Sequence, residues 1–288
     1  MIPKKGKPDF GRDHAQKHKM NITLGSRAIS AGYKLAAFDK TGSTNSEAMQ
    51  RARDGERGPM WFVTTEQTAG RGRRQRAWIA PRGNLASSIL EVMDVTPAVA
   101  ATLGFAAGLS LDAAARAVSV EAALRAGGAD PFKFGLKWPN DVLAGHHKLT
   151  GILLEAEAVP GGLAVVVGIG TNVIAAPEGT PTPATSLHAL GIQIGAEELF
   201  RALSDAWVEF RGIWDNGRGF AEIRKRWLER AAGLGAKVAI NTGAATIEGI
   251  FDTIDETGCM IVRTAEGRRV PVAAGEVYFG SAASVRAS

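Results

Sequence analysis

Apolar positions recur along this chain in two rhythms, and the change between them divides it. From Glu197 to Asp215 the residues Phe200, Leu203, Trp207, Phe210 and Trp214 repeat at steps of three and four. That spacing is one face of an amphipathic helix and assigns the tryptophans to the core. Phe220–Ala232 is a second helix whose outer face is basic (Arg224, Lys225, Arg226, Arg230), with solvation the default reading. Pro97–Gly127 is alanine-rich and helical, with Pro97 suited to a first turn and a break expected near Val118–Val120, where β-branched residues cluster. A shorter helix follows Ser43-Thr44-Asn45-Ser46-Glu47 and ends near Gly55. Thr44 and Glu47 there have capping-box spacing. The two-residue rhythm of strands appears at Tyr33–Phe38, Trp61–Thr65, LASSILEVM from Leu85, Phe134–Trp138 and Lys148–Glu157. Gly162–Val173 is the most apolar strand and is expected at the centre of a sheet.

At Gly233-Leu234-Gly235 the texture shortens. Lys237–Ile240, Thr246–Ile254, Cys259–Thr264 and Arg268–Val272 read as brief strands joined by glycine turns, a pattern that predicts a small barrel of SH3 type. The expected organisation is a flexible basic arm over 1–27, a main domain over 28–232 and a small domain over 233–288.

Composition narrows the class. Of 288 residues, 45% are apolar and 22% charged, ordinary globular values that exclude wholesale disorder. The single cysteine, Cys259, excludes an intrachain disulfide framework and fits a reducing compartment. Its context, GCMIVRT, predicts a buried structural thiol. The N-terminal stretch is basic, without the apolar core of a secretory signal, and no apolar run approaches the length of a membrane span. These readings predict a soluble cytoplasmic protein. A net charge of +5 favours anionic partners, although Lys4, Lys5, Lys7, Lys17 and Lys19 place part of it in the arm. Nucleotide, acidic protein and nucleic acid all remain open.

The chemistry concentrates in Thr64–Trp78, TTEQTAGRGRRQRAW, where Arg71, Arg73, Arg74 and Arg76 crowd beside Gly70 and Gly72. Glycine lets backbone N–H groups approach an anion, and guanidinium forks match carboxylate and phosphate oxygens. A polyanion loop, a solvated basic turn and a nucleic-acid patch all fit. The helix start at Ser43–Glu47 presents free N–H donors and hydroxyls; an ordinary N-cap is the plainer reading. Lys137-Trp138-Pro139-Asn140-Asp141 gathers a cation, an amide and a carboxylate at one strand end. Lys148 follows across a hairpin-sized turn, so the two strands bring it towards the same mouth. GIGTNV at 168–173 lacks the third glycine of a dinucleotide fingerprint. There is no P-loop and no nucleophile elbow, and His146-His147 has no third ligand at metal spacing.

Together, STN at 43–45, QTAGRGRRQRAW at 67–78, KWPNDV at 137–142, KLTGILLE at 148–155 and GIGTN at 168–172 resemble the biotin–protein ligases in order and approximate spacing. The resemblance spans roughly residues 30–280. It implies an α+β fold: a mixed β-sheet flanked by helices, similar to class II aminoacyl-tRNA synthetase cores, followed by an SH3-like β-barrel. It also implies two half-reactions. Biotin's carboxylate attacks the α-phosphate of Mg·ATP to give biotinyl-5′-AMP and pyrophosphate, and a lysine of a biotin carboxyl carrier protein then displaces AMP. By the same resemblance, Ser43, Thr44 and Asn45 face biotin's ureido ring with Gln67 nearby. Gly70, Arg71, Gly72 and Arg73 close over the carboxylate and α-phosphate, and Arg73 is the main clamp. Arg76 takes the outer phosphates, Lys148 neutralises the α-phosphate and touches biotin, and Asn140 and Asn172 contact the nucleotide. Asp141 helps hold Mg²⁺, and no tightly bound cofactor is implied. The acceptor is a carboxylase carrier domain, with neither DNA nor membrane as partner; the oligomeric state stays open between monomer and homodimer. Gln75 departs from the family, which usually has glycine there; a left-handed backbone at that position would be strained. No helix-turn-helix pattern is present, so operator binding is not expected. A lipoate- or octanoate-handling relative and a basic nucleic-acid-binding protein are the alternatives.

Overall fold

The computed structural model describes residues 21–128, 132–180 and 182–279. Of the arm expected over 1–27, residues 1–20 lie outside that range. Ile22 and Leu24 are buried, and a short helix α1 (Ser26–Ser30) already packs by Ala28. The chain continues through β1 (Lys34–Phe38), α2 (Thr44–Arg53), β2 (Met60–Thr64), β3 (Leu85–Met93), α3 (Pro97–Ala101) and α4 (Leu103–Arg125). Next come β4 (Phe134–Lys137), β5 (Asp141–Ala144), β6 (His147–Val159), β7 (Gly162–Thr171), α5 (Ala196–Trp214) and α6 (Phe220–Leu228).

These strands form one seven-stranded sheet in the order β1-β2-β3-β7-β6-β5-β4. Only β1–β2 is parallel, so the sheet is mixed as expected. β7 occupies its centre because both of its faces are covered. Val165, Val167 and Ile169 face the layer of α4 and α5, while Ala164 and Val166 meet Ala48, Met49 and Ala52 of α2. The alternation is that of any strand buried on two sides. The α5 stripe is core throughout: Phe200, Leu203, Trp207 and Trp214 are fully buried, and Trp61 meets Phe200 and Trp207 edge-to-face at 5.4 and 5.9 Å. Each such side chain contributes about 2–3 kcal/mol by leaving water.

Four local expectations change. The long helix runs unbroken through Val118–Val120 and is interrupted at Thr102 instead, whose hydroxyl donates to the Val99 carbonyl and accepts from Trp214 Nε1 at 2.8 Å. With mean hydropathy 1.5 over its best window, Pro97–Arg125 does reach membrane-span dimensions, but 72% of that window is buried within the protein. Arg230 is not simply solvated: its Nε lies 3.1 Å from the buried Asp112 carboxylate. Cys259 is half-buried in the turn before a strand, not inside one.

The remaining strands, β8 (Lys237–Asn241), β9 (Thr246–Ile254), β10 (Met260–Arg263), β11 (Arg269–Val272) and β12 (Glu276–Phe279), form a five-stranded antiparallel sheet. β12 was not evident from the pattern. The order β11-β10-β9-β8-β12 leaves β11 and β12 at the ends of the ladder, so barrel closure is not part of the described pairing. The linker before it pairs with β4: Leu136 N–H donates to Arg230 O and Ala232 N–H to Leu136 O, each at 2.8 Å. Trp138 Nε1 donates to Gly258 O at 3.1 Å. The small sheet is thereby seated beside the ends of β4 and β5.

Candidate active site

On the α2 side of the main sheet lies a cleft of about 430 Å³, and glycine makes room for it. Gly168 and Gly170 of β7 and Gly151 of β6 occupy successive positions on that face. A Cβ at Gly170 would meet the Trp78 indole at 2.6 Å, and one at Gly151 would meet it at 3.1 Å. The indole lies flat where side chains would otherwise stand, with Lys148 Nζ 5.6 Å from its ring centre.

One end of the cleft is polar, uncharged and tightly bonded. Ser43, Thr44 and Asn45, at the start of α2, are 4%, 3% and 5% exposed. The capping box predicted for Thr44 and Glu47 does not form. Ser43 is the N-cap residue, Thr44 N–H donates to Gln67 Oε1 at 2.8 Å, and Glu47 accepts from Thr41 Oγ1 at 2.7 Å. Ser88 Oγ lies 2.7 Å from Thr44 Oγ1 and 2.6 Å from Asn45 Oδ1; with one proton it donates to one of them. Asn45 Nδ2 donates to Leu153 O at 3.3 Å and to Glu155 Oε2 at 2.7 Å, and Arg71 Nη2 reaches that same oxygen at 2.9 Å. A continuous polar chain thus runs from Gln67 through Thr44, Ser88, Asn45 and Glu155 to the arginine segment.

The other end is cationic. Residues 70–78 form a hairpin, with Trp78 N–H bonded to Gly70 O at 2.9 Å and Gly72 N–H to Arg76 O at 2.7 Å. Gly70 is required because a Cβ would stand 2.5 Å from Trp78 O. At the tip Arg74 and Gln75 are both left-handed, with φ of 55° and 60°, so the strain anticipated at Gln75 is present and shared with its neighbour. Arg73 Nη1 donates to Asn140 Oδ1 at 3.0 Å; burial pushes its pKa down, opposed by the nearby Asp141 carboxylate. Arg76 grips Glu276 of β12 through both nitrogens at 3.1 and 2.9 Å. That bond raises the Arg76 pKa and holds Glu276 below the usual carboxylate range. Lys148 Nζ is 2.7 Å from Asp141 Oδ1. Asn172 Oδ1 is buried without a partner among the described residues, an acceptor that a ligand N–H would satisfy.

Of the residues expected here, Ser43, Thr44, Asn45, Gln67, Arg71, Gly72, Arg73, Arg76, Asn140, Asp141, Lys148 and Asn172 all border the cleft, and Gly70 shapes it from behind. Ser88, Glu155 and Glu276 were not singled out, and Trp78 and Lys137 were read only as members of their motifs, without a role of their own. Ser88 carried a legible signal, as a polar residue on a strand face whose neighbours Ala86 and Leu90 are apolar. His146 sits exposed in a turn and His147 exposed at the first position of β6, and no group of three or more His, Cys, Asp or Glu suited to a metal occurs among the described residues. Asp141 alone, already paired with Lys148, is no metal cage. The donor set fits a Mg²⁺ held chiefly by nucleotide phosphates, as that ion commonly is.

Comparison with known proteins agrees with this layout. The model of the biotin/lipoate A/B protein ligase family matches residues 40–172, and that of the biotin protein ligase C-terminal domain matches residues 233–280. The chain is 40% identical over 249 residues to the biotin–[acetyl-CoA-carboxylase] ligase of Paracoccus denitrificans, covering 84% of this chain and 98% of that one. It is 36% identical over 268 residues to the enzyme of the same name from Mycobacterium tuberculosis, covering 88% and 93%. Among solved structures, the Aquifex aeolicus biotin protein ligase in complex with biotin and ATP superposes with a TM-score of 0.69 at 25% identity, over 86% of this chain and 98% of that one.

Proposed function

The chain belongs to the biotin/lipoate A/B protein ligase family, and from that premise we propose how its cleft works. It is an ATP-dependent ligase that activates biotin as biotinyl-5′-AMP and passes the acyl group to a lysine of a biotin carboxyl carrier domain. The observation that carries the reading is the joining, in one cleft, of a neutral hydrogen-bonding end to a cationic end across a glycine floor. Such a cleft suits a ligand with a compact polar ring, an apolar body and a carboxylate tail that must meet a polyphosphate.

In the first half-reaction a biotin carboxylate oxygen bonds to the α-phosphorus and pyrophosphate leaves. In the second, the acceptor amine bonds to the acyl carbon, AMP leaves and the amine loses a proton. No enzyme nucleophile is required. The protein supplies orientation, charge neutralisation and shelter from water. Ser43, Thr44, Asn45 and Gln67 receive the ureido ring; Lys148, held by Asp141, stands at the carboxylate and α-phosphate. Arg73, braced on Asn140, clamps the adenylate together with Arg71 and the backbone of Gly70 and Gly72. Arg76 joins at the phosphates, and Asn140 and Asn172 read the nucleotide. Asp141 would lend one oxygen to a Mg²⁺ held chiefly by the ATP phosphates, and that ion would supply phosphate charge neutralisation. The reaction belongs in the cytoplasm, in keeping with a lone unpaired Cys259.

The test is mass spectrometry of a carrier domain after incubation with the protein, biotin and ATP. One biotinyl group on one lysine is expected, and none with lipoate or octanoate. Modification by lipoate instead would move the protein to the other branch of the family.

A further inference from the structure

Lys137 ends β4 and borders the cleft, yet only 8% of its surface is exposed. Among the described residues its ammonium makes no hydrogen bond and no ion pair; its one recorded contact is the Phe279 ring, 5.7 Å from Nζ. The acids whose fields reach it are both engaged elsewhere. Asp141 lies 2.7 Å from Lys148, and Glu276 holds Arg76 through both oxygens at 3.1 and 2.9 Å. Lys148 adds a repelling charge on the same side, and burial depresses the Lys137 pKa further. The side chain is largely buried, and an ammonium that meets the cleft with no anionic partner is held at a cost in solvation. Its persistence at the mouth of a site that must accept phosphates is explained if an incoming anion completes it.

We propose that Lys137 binds the anionic leaving group: the outer phosphates of the nucleotide on the way in, and inorganic pyrophosphate on the way out. The assignment rests on the ligase reading and revises it in one respect. Arg76, expected at the outer phosphates, is bound to a carboxylate of the small sheet, whereas Lys137 has no carboxylate partner among the described residues. Lys148 then serves the reacting α-phosphate while Lys137 stabilises the charge that develops on the departing oxygen.

The experiment compares the wild type, Lys137→Met and Lys137→Arg. Inorganic pyrophosphate binding is measured by calorimetry, biotin-dependent exchange of labelled pyrophosphate into ATP by its saturation, and acyl transfer from preformed biotinyl-AMP to a carrier domain by mass spectrometry. Thermal melting is followed in parallel. Lys137→Met should weaken pyrophosphate binding and raise its half-saturating concentration about tenfold or more, the loss of one charge-assisted contact. Biotin affinity and transfer from the preformed adenylate should stay within about twofold. Removing an unpaired charge from a largely buried side chain should leave the melting midpoint equal or higher, and Lys137→Arg should recover much of the pyrophosphate affinity. Unchanged pyrophosphate affinity, equal losses in exchange and transfer, or a lower midpoint in Lys137→Met would each overturn the proposal. Wild-type protein that binds pyrophosphate through Lys137 but shows no biotin-dependent exchange would instead remove the ligase reading and leave the anion site standing.

Discussion

Replacing Gly168 by alanine tests the ring end of the cleft with a single methyl group. A Cβ there would overlap Asn45 Oδ1 and stand 2.8 Å from the Asn45 amide carbon. The amide cannot give way cheaply. It is 5% exposed and bonded to Ser88 Oγ at 2.6 Å, Leu153 O at 3.3 Å and Glu155 Oε2 at 2.7 Å. Two neutral bonds at about 1 kcal/mol each and one to a carboxylate at about 2 kcal/mol set an upper limit of about 4 kcal/mol. Rotation of Asn45 into the wet cleft recovers roughly half of that, leaving a loss of about 2 kcal/mol in stability. The displaced amide then occupies the space proposed for the ureido ring, and biotin should bind at least about tenfold more weakly. Calorimetric titration with biotin and thermal unfolding of the same sample read both effects. A second background isolates the cause: with Asn45→Ala already present there is no amide to strike, and Gly168→Ala should cost less than about 0.5 kcal/mol in either assay. If the alanine weakens biotin as much on the Asn45→Ala background as on the wild type, the clash is not the mechanism.

Other perturbations probe the cationic end. Lys148→Ala should abolish biotin-dependent pyrophosphate release while reducing biotin affinity only modestly, since the contacts proposed for the ureido ring lie elsewhere; release at the wild-type rate would remove that lysine from the chemistry. Gln75→Gly should relieve a left-handed backbone worth about 1 kcal/mol, partly offset by a freer unfolded chain, so amide hydrogen exchange across 70–78 should slow with little change in the melting midpoint. Faster exchange would count against strain at that residue. The Arg76–Glu276 bond depresses the Glu276 pKa, so its stabilisation is present above the unfolded-state pKa and is lost as pH falls through the lower folded value. Exchange protection of the hairpin should therefore survive mild acid and collapse only below the ordinary glutamate range, and Glu276→Gln should erase that acid limb.

The main sheet was legible because its strands and helices obey simple periods. The α5 stripe and the central place of Gly162–Thr171 follow from residues whose burial is decided by side-chain type. Where tertiary partners decide, the pattern was blind. Thr102 breaks the long helix because Trp214 lies 112 residues away in sequence and donates to its hydroxyl, which no local propensity encodes. Thr44 and Glu47 have the spacing of a capping box, but Gln67 and Thr41 offer better partners. β12 went unread because Glu276–Phe279 is a short edge strand defined by pairing with β8. The residues of the cationic end were visible as glycine and arginine types. Glu155 and Glu276, which hold those arginines, were not, because a carboxylate gains its meaning from the cation the fold places beside it.

Those carboxylates change how the arginine segment should be understood. It is no loose lid: Arg71 is tied to β6 through Glu155, Arg73 to Asn140, and Arg76 to β12 through Glu276. Ion pairs as exposed as those of Arg71 and Arg76 are worth about 0–1 kcal/mol each, so together they hold a hairpin without locking it. A polyphosphate brings several negative charges into the same space and outcompetes such weak pairs, while the backbone geometry of Gly70–Trp78 is already formed. Part of the ordering cost of binding has then been met during folding. The same argument explains why the pairing is incomplete. Arg71, Arg73, Arg74, Arg76, Lys137 and Lys148 outnumber Asp141, Glu178 and Glu276 along the cleft. Full neutralisation would leave nothing to favour an anionic guest, and no neutralisation would drive the cations apart by mutual repulsion. A cleft with a small cationic surplus is stable when empty and still prefers to be filled.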